Sequence, residues 1–321
     1  MLPPLRFRPV LKQTIWGGRR LGETLRKPIG EEANYAESWE VVDHGNDQSV
    51  VDGGPHDGMT LAAMISQYRQ QLLGAGAMEQ SFPLLLKYLD CNRVLSVQVH
   101  PDDATGAKLD PPDRGKTEAW YIVDATDDAV IYAGLVDGVD REALGAAIEA
   151  GQTEQVLHSF HPSPGDVVFI PAGTVHALGA GLLVAEIQQS SDTTFRLFDW
   201  NRTDADGNAR PLHLEQGLSV TDYDRGPIRP DRADPTTAGK QTLVECDKFV
   251  LSAVHQGQAT VGESDSFEII TVPRGTASLQ IGEDEQTLAT GQTVLLPASG
   301  QSGVIIPAAD TAVLLMTAGR K

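Results

Sequence analysis

Short apolar runs, each closed by a turn-forming residue, recur along the chain and restrict the folds open to it. Glycine (32) and proline (19) are plentiful between the runs. Short apolar segments bounded by Gly, Pro, Asp or Asn are typical of β-strands. We therefore predict a mainly β protein. Its predicted strands lie within residues 40–42, 83–88, 94–99, 119–123, 130–132, 166–170, 182–188, 249–254, 267–272, 277–281, 293–296, 304–306 and 312–316.

Helical periodicity is limited to a few short segments. Thr60 is placed to cap a helix whose apolar residues fall on one face, and Asp140 is placed to cap a second that Gly151 would end. A further short turn is expected between Thr153 and Pro162. Apolar stripes of this kind are packing faces. The stripe residues are Leu61, Met64, Ile65, Tyr68 and Leu72 in the first helix, and Ala143, Leu144, Ala147 and Ile148 in the second.

The length of 321 residues suits two compact domains. Residues 223–239 are rich in Pro, Asp, Arg and Gly without apolar periodicity, which is typical of a linker. We predict one domain at residues 1–235 and a smaller β-domain at 236–321. The two predicted domains contain similar segments, GDVVFIPAG at 165–173 and GQTVLLPAS at 291–299. Only the first continues to a histidine, His176, so we expect the chemistry in the first domain and a degenerate, structural copy in the second.

The net charge of −19 argues against nucleic acid and anionic membranes as partners. No apolar run approaches the length of a membrane span, and the N-terminal residues lack a signal-peptide pattern, so we expect a soluble, cytoplasmic protein. Cys91 and Cys246 are not in metal-binding spacing, and we expect two free thiols. An anionic substrate would require a local group of basic residues.

The segment from Gly165 to His176 carries the spacing G-x5-P-x-G-x2-H, with Pro171 and Gly173 at the middle positions. This is the spacing of the second cupin motif, in which a strand and a Pro-Gly turn return a histidine to the interior of a barrel. We therefore predict a cupin (jelly-roll) barrel with a few short helices, followed by the smaller cupin-like β-domain.

Three further polar residues lie in or beside predicted strands. Gln98 and His100 alternate in LSVQVH and therefore share one face, and Glu118 precedes the apolar run AWYIV. Buried polar side chains need a partner, and a metal ion supplies one. Two imidazoles and a carboxylate suit a divalent ion such as zinc. We predict ligands at His100, Glu118 and His176, with Gln98 as a fourth.

Basic residues lie near these segments, namely Lys87, Lys116 and Arg196. In so acidic a chain they indicate an anionic ligand, which Arg binds through paired hydrogen bonds and Lys through point charge. For Lys87 an ordinary ion pair is an equal alternative. The other histidines lie in loop-like contexts and are interpreted as surface or structural residues: His44, His56, His158, His161, His213 and His255.

The chain resembles the short bacterial form of the type I mannose-6-phosphate isomerases (phosphomannose isomerases) over nearly all of residues 5–222. The strings that carry the resemblance are IWGGRRL (15–21), PLLLKYLD (83–90), LSVQVHPDD (95–103), GKTEAWYIV (115–123), PAGTVHALG (171–179), QQSSDTTFRLFDWNR (188–202) and RPLHLEQGL (210–218). The tail after about residue 239 is only loosely similar. The large helical insertion of the long-form enzymes is not expected here.

The resemblance implies one divalent metal ion, zinc, held by Gln98, His100, Glu118 and His176. It places a catalytic arginine at Arg196 and a pocket lysine at Lys116. Ser96 and Glu186 also match pocket positions. The implied reaction interconverts mannose 6-phosphate and fructose 6-phosphate through a cis-enediol, with a small phosphorylated sugar as the partner.

Several alternatives stay open at this point. The general base could be Glu186, a water on the metal or a histidine. His100, Glu118 and His176 also match the triad of a non-haem iron cupin oxygenase, and a non-catalytic sugar-binding cupin is a third class. We expect a monomer or a weak homo-oligomer.

Overall fold

A computed structural model describes residues 1–74, 78–203, 207–263 and 265–319 and shows a mainly β protein. The strands are β1 (Phe7–Arg8), β2 (Val10–Gly18), β3 (Tyr35–Val41), β4 (Asp43–His44), β5 (Asp47–Gln48), β6 (Val50–Val51), β7 (Leu84–Cys91), β8 (Val97–Val99), β9 (Glu118–Ala125), β10 (Ile131–Leu135), β11 (Leu157–Phe160), β12 (Asp166–Ile170), β13 (His176–Leu178), β14 (Leu182–Gln189), β15 (Phe195–Phe198), β16 (Asp231–Arg232), β17 (Lys240–Glu245), β18 (Phe249–Val254), β19 (Ala259–Val261), β20 (Glu268–Arg274), β21 (Thr276–Ile281), β22 (Asp284–Ala289), β23 (Thr293–Leu296), β24 (Gly303–Pro307) and β25 (Ala312–Ala318).

The helices are short, and both predicted caps are confirmed. The Thr60 side chain accepts a hydrogen bond from the Ala63 amide, and the Asp140 side chain accepts one from the Ala143 amide. Gly151 follows the second of these helices with φ of 67°. The α-helices are α1 (Arg20–Glu23), α2 (Leu61–Leu73), α3 (Asp103–Gly106), α4 (Arg141–Glu149) and α5 (Leu214–Val220), with 3-10 turns at Gly54–His56 and Thr153–Val156.

Most strands belong to four antiparallel sheets. Sheet I has the order β11-β10-β13-β8-β15, and sheet II has the order β16-β12-β9-β14-β7-β3-β2. Sheet III has the order β17-β18-β25-β20-β23, and sheet IV has the order β19-β24-β21-β22. Sheets I and II use strands from residues 10–232, and sheets III and IV use strands from residues 240–318. The division into domains at residue 235 stays a prediction, with which this distribution is compatible.

Sheets I and II pack face to face around a shared core. Trp120 and Val184 of sheet II belong to the same apolar cluster as Ile131 and Leu178 of sheet I. Every residue of β7 and β14 is buried, because the opposite face of sheet II is covered as well. Side chains on these strands alternate between the interior that faces sheet I and the interface with sheet III.

Sheet III covers the outer face of sheet II. Leu86 and Ala185 of sheet II share one apolar cluster with Leu251 and Leu314 of sheet III. Sheets III and IV enclose a further cluster of their own, which includes Ile270 and Leu279. The four sheets therefore stack in the order I, II, III, IV, and Lys87 of β7 points away from sheet III, opposite to Leu86 and Tyr88.

Some strands differ from those predicted. The run 94–99 forms a strand only at Val97–Val99, and the turn after Thr153 passes into β11 before Pro162. Several strands were not predicted, among them β13 and β15, which carry His176 and Arg196. Strand β2 was also missed, because its sequence VLKQTIWGG mixes polar and apolar residues at an edge of sheet II. Both cysteines are free, as expected. Within the described ranges, no helix has the length and apolar character that a membrane span requires.

Candidate metal centre

Three predicted ligands converge between sheets I and II. His176 begins β13 of sheet I, His100 directly follows β8 of the same sheet, and Glu118 begins β9 of sheet II. One ligand atom from each lies within 4.8 Å of the others. Each residue is only 1% exposed. Residues far apart in sequence are thus brought to one point inside the sandwich.

Backbone carbonyls orient both imidazoles. Nδ1 of His100 lies 3.0 Å from the Thr193 carbonyl oxygen, and Nδ1 of His176 lies 2.9 Å from that of Thr174. A carbonyl can only accept, so each Nδ1 carries the proton and each Nε2 carries a lone pair. Nε2 of His100 and of His176 lie 3.6 and 3.4 Å from the Glu118 carboxylate.

Burial keeps both rings neutral. It lowers the pKa of His176 to about 4, and burial followed by the Lys116 charge lowers the pKa of His100 well below its usual value. Neutral imidazoles with free Nε2 lone pairs are the form in which histidine binds a metal ion. The protonation state and the ring orientation therefore both fit ligation.

The Glu118 carboxylate is the third candidate ligand, and it lies beside the positively charged Lys116. The Lys116 ammonium lies 3.1 Å from Nε2 of His100 and 3.1 Å from Oε2 of Glu118. Apart from this ion pair with Lys116, the buried Oε2 makes no well-aligned hydrogen bond to any described residue. A buried carboxylate beside two lone-pair nitrogens fits a divalent cation.

Gln98 lies beside the three ligands. It is directly opposite His176 on β13 and directly opposite Arg196 on β15, so the three form one row across sheet I. Its amide nitrogen lies 3.2 Å from Nε2 of His176 and donates to that lone pair. A half-turn of the amide would direct its oxygen to the same place, where it could act as a ligand.

A cavity of about 330 Å³ opens beside this centre. It has the size of a site for a small molecule. Its lining residues are Thr14, Trp16, Glu37, Lys87, Leu89, Leu95, Ser96, Gln98, Lys116, Glu118, Trp120, Leu178, Glu186, Asp192, Thr194, Arg196 and Arg210. Every site residue predicted from the sequence is therefore either in this lining or, for His100 and His176, in contact with it through Glu118.

Glu186 is a buried carboxylate in the cavity wall. Its Oε2 accepts a hydrogen bond from the Trp120 indole at 3.2 Å, and its Oε1 lies 3.2 Å from the Lys87 ammonium. Burial first, and then the charge of Glu118, raise the pKa of Glu186 to about 7. A carboxyl group with a pKa near neutrality can both take and return a proton.

Arg196 and Ser96 also line the cavity. One Arg196 nitrogen donates to the Pro211 carbonyl oxygen at 2.9 Å, whereas its buried Nε has no hydrogen-bond partner among the described residues. Burial and then the Arg210 charge lower the pKa of Arg196. His213 accepts a hydrogen bond from the Arg196 amide at 3.2 Å, which makes it a structural residue.

Three charged lining residues were not predicted from the sequence: Glu37, Asp192 and Arg210. Glu37 and Glu40 place two charges in the strand YAESWEV, in which every residue except Glu37 is buried, and charges in such a strand are the signal that could have identified Glu37. Arg210 follows the residues that are not described and is held by Asp199, a contact that only the fold creates.

The sequence is similar to proteins named mannose-6-phosphate isomerase over most of its length. Residues 5–125 match the family model described as "Phosphomannose isomerase type I, catalytic domain". The mannose-6-phosphate isomerase ManA of Bacillus subtilis (strain 168) is 37% identical, with 92% of this chain and 93% of that protein covered. The mannose-6-phosphate isomerase of Streptococcus mutans (serotype c) is 33% identical, again with 92% of this chain and 93% of that protein covered.

Solved structures show the same fold. The crystal structure of the mannose 6-phosphate isomerase from Bacillus subtilis superposes with a TM-score of 0.89 at 30% identity, covering 98% of this chain and 99% of that one. Structures of phosphomannose isomerase variants from Salmonella typhimurium also superpose, one with a TM-score of 0.79, 15% identity and coverage of 99% and 100%. At that identity the likeness concerns the fold alone.

Proposed function

The chain belongs to the type I phosphomannose isomerase family, and we propose that it interconverts mannose 6-phosphate and fructose 6-phosphate in the cavity beside Glu118. It is a sugar-phosphate isomerase, since the relatives that it matches over nearly their full length carry that activity in their names. The cupin barrel predicted from the sequence is consistent with this family.

The balance of charge in the cavity is the observation that carries the proposal. Basic and acidic side chains in the lining are equal in number, four of each. With neutral histidines, a divalent cation would leave two net positive charges there, which match a phosphate dianion. The whole chain carries −19, so this local balance is a property of the site. The basic residues are Lys87, Lys116, Arg196 and Arg210, and the acidic ones are Glu37, Glu118, Glu186 and Asp192.

We propose that His100, Glu118 and His176 hold the cation, with Gln98 as a fourth ligand after rotation of its amide. The buried Glu118 carboxylate and the two Nε2 lone pairs within 3.6 Å of it support this assignment. We propose zinc, because a set of two nitrogens and carboxylate oxygen suits it. A zinc ion held there would act as a Lewis acid toward the oxygens of the sugar.

The isomerisation moves one proton between neighbouring carbons of the open-chain sugar. We propose that the Glu186 carboxylate takes the proton from C2, whose C–H electron pair forms the C1=C2 bond of the cis-enediol while the C1 oxygen gains a proton. Glu186 then returns a proton to C1, and the C2 hydroxyl loses its proton as the C2 carbonyl forms. Its pKa near 7 supports a role in both directions.

The basic residues have separate roles in this proposal. Lys116 lies beside the ligand atoms and would move the hydroxyl proton between the two sugar oxygens. Arg196, with a buried Nε that has no described partner, would donate to the sugar oxygen on which charge develops. Ser96 is 4% exposed and lines the cavity, where it would bind a sugar hydroxyl.

The alternatives are less well supported. The names of the relatives do not favour an iron oxygenase or a non-catalytic sugar-binding cupin. We further propose that the protein acts in the cytoplasm as a monomer or weak homo-oligomer without nucleic-acid or membrane partners. The acidic charge and the free cysteines support this assignment.

A coupled assay that measures fructose 6-phosphate, with and without a chelator, tests the proposal. We expect turnover that a chelator abolishes and zinc restores. His176→Ala should reduce kcat/KM by more than about 100-fold and lower the bound metal measured by mass spectrometry. Oxygen uptake with added Fe(II), and no fructose 6-phosphate, would instead indicate the oxygenase.

His158→Ala is the matched control, because His158 lies on β11 and is not part of the cavity lining. It should keep wild-type activity and metal content. Turnover by His176→Ala that persists after chelation would contradict the assignment of the ligands.

A further inference from the structure

Lys87 is a buried cation held between two carboxylates. Its ammonium lies 3.2 Å from Oε1 of Glu186 and 3.3 Å from Oε2 of Glu37. Glu186 lies directly opposite Lys87 on the neighbouring strand β14. On the other side of β7, Trp39 of β3 lies directly opposite Lys87, and Glu37 lies two residues before Trp39 on the same strand. Burial would lower the pKa of Lys87, but Glu186 and then Glu37 raise it above its usual value. Lys87 therefore carries a positive charge and forms an ion pair with each of the two carboxylates.

Glu37 is oriented by a rigid neighbour. Its Oε2 accepts a hydrogen bond from the Trp39 indole at 2.7 Å, and Trp39 is packed in a cluster with Val42 and Leu85. The Glu37 side chain is 17% exposed and lines the cavity. Burial would raise the pKa of Glu37, but Lys87 and then the indole hydrogen bond hold it below its usual value. An oriented anion thus faces Lys87 from the cavity wall.

The Lys87 ammonium lies at nearly equal distances from Glu186 and Glu37, and this position affects how readily Glu186 can accept a proton. Oε1 of Glu186 makes no well-aligned hydrogen bond to any described residue, although Lys87 lies 3.2 Å from it. Without the charge of Glu37, Glu186 would be the one ion-pair partner of Lys87 within 4 Å among the described residues, and the two would close to a tight, charge-assisted hydrogen bond. A carboxylate held in this way is a poorer proton acceptor.

We propose that Glu37 is a positioning residue that holds Lys87 away from full contact with Glu186 and so keeps Glu186 free to transfer the proton. The inference rests on the proposed function, because it takes Glu186 as the proton-transferring group. The contacts of the Glu37 carboxylate are the ion pair with Lys87 and the hydrogen bond from the Trp39 indole. Glu37 acts through Lys87.

The same strand supplies a matched control. Glu40 is 6% exposed, pairs with Lys27 at 2.6 Å and accepts a hydrogen bond from Ser38 at 2.7 Å. It is therefore another buried glutamate with a lysine partner, but it is absent from the cavity lining. Glu40→Gln removes a buried ion pair from β3 without altering the cavity, which separates loss of stability from loss of positioning.

The experiment measures kcat, KM, melting temperature and bound zinc for the wild type, Glu37→Gln and Glu40→Gln. We expect Glu37→Gln to lower kcat by about 10–100-fold, as for other residues that orient a reacting group, with KM and zinc content little changed. Glu40→Gln should lower the melting temperature at least as much while kcat stays at the wild-type value.

A double-mutant cycle with Lys87→Met gives an independent measurement. If Glu37 acts through Lys87, adding Glu37→Gln to Lys87→Met causes no further loss of kcat. Independent, multiplying losses overturn the proposal, as does a Glu37→Gln enzyme with kcat within twofold of the wild type. If Glu37→Gln does not fold, Trp39→Phe, which keeps the charge but removes the orienting hydrogen bond, should still lower kcat several-fold. Absence of isomerase activity in the zinc-loaded wild type would instead overturn the proposed function.

Discussion

At the scale of single residues, Asp199 shows how a buried carboxylate organises basic side chains near the cavity. It is 5% exposed and accepts hydrogen bonds from Arg210 at 2.8 Å and from Arg202 at 2.5 Å. Arg210 lines the cavity and Asp199 does not, so Asp199 holds one of the positive charges of the cavity in place from behind the lining. An isosteric amide in place of the carboxylate would keep the shape but lose the ionic hydrogen bonds.

We expect Asp199→Asn to lower the free energy of unfolding by about 2 kcal/mol at neutral pH, the range for hydrogen bonds to charged groups. Urea unfolding of the wild type and the variant at pH 7 measures this difference. Asp231→Asn, on an exposed strand, is the control and should change stability little. Equal stability of the Asp199 variant and the wild type would contradict the expected role.

The contribution of Asp199 should also depend on pH. Burial would raise the pKa of Asp199, but hydrogen bonds from Arg210 and then Arg202 hold it below the unfolded value of 3.8. The folded state therefore releases this proton more readily, so the stabilisation is fully present above about pH 4 and is lost as the pH falls through the folded pKa. The stability difference between the wild type and Asp199→Asn should shrink in acid titrations below pH 4. A constant difference down to pH 2 would argue against an ionic origin.

At the scale of elements, β7 and β14 explain why the central strands show no alternation in sequence. Both faces of sheet II are covered, by sheet I on one side and sheet III on the other, so apolar residues occupy both. These two strands carry three charged residues, of which Lys87 and Glu186 line the cavity and Asp90 pairs with Arg20. A charge inside a continuous apolar run was visible in the sequence, but its partner was not.

Gly165 and Gly291, the first residues of the two similar segments, should differ in their tolerance of a side chain. Both have positive φ, 92° at Gly165 and 80° at Gly291, so alanine is strained at either. A Cβ at Gly165 would meet no atom within 4 Å in the described part of the chain, whereas at Gly291 it would lie 2.0 Å from the Leu25 carbonyl oxygen. We expect Gly165→Ala to lower stability by about 1 kcal/mol and Gly291→Ala by at least about 1 kcal/mol more. Thermal unfolding of the pair measures this, and equal losses would contradict it.

At the scale of the whole molecule, the stacking of sheet III on sheet II joins the two halves of the chain. The interface includes a hydrogen bond of 2.6 Å between the hydroxyl groups of Tyr88 and Thr271. Removal of the C-terminal sheets would expose one face of β7, which carries Leu84, Leu86 and Tyr88. The other face of this strand carries Lys87. Covering one face of the sheet that bears Glu118 and Glu186 is the structural contribution of the C-terminal half.

We therefore expect residues 1–235 alone to aggregate, because an apolar sheet face of this extent is not stable in water. Expression of this fragment and of the full chain, compared by size-exclusion chromatography, tests the prediction. Recovery of a monodisperse, folded fragment would show that the N-terminal domain does not need the cover.

The sequence by itself determined local features: many of the strands, the caps at Thr60 and Asp140, and the residue types of the candidate ligands His100, Glu118 and His176. These depend on neighbouring residues and on short spacings, which a single chain displays directly. Only the tertiary structure decided that Glu37 and Glu186 share Lys87, and that Asp199 holds Arg210. Such contacts depend on strand register and on which sheet faces which, and those are set by packing between residues far apart in the chain.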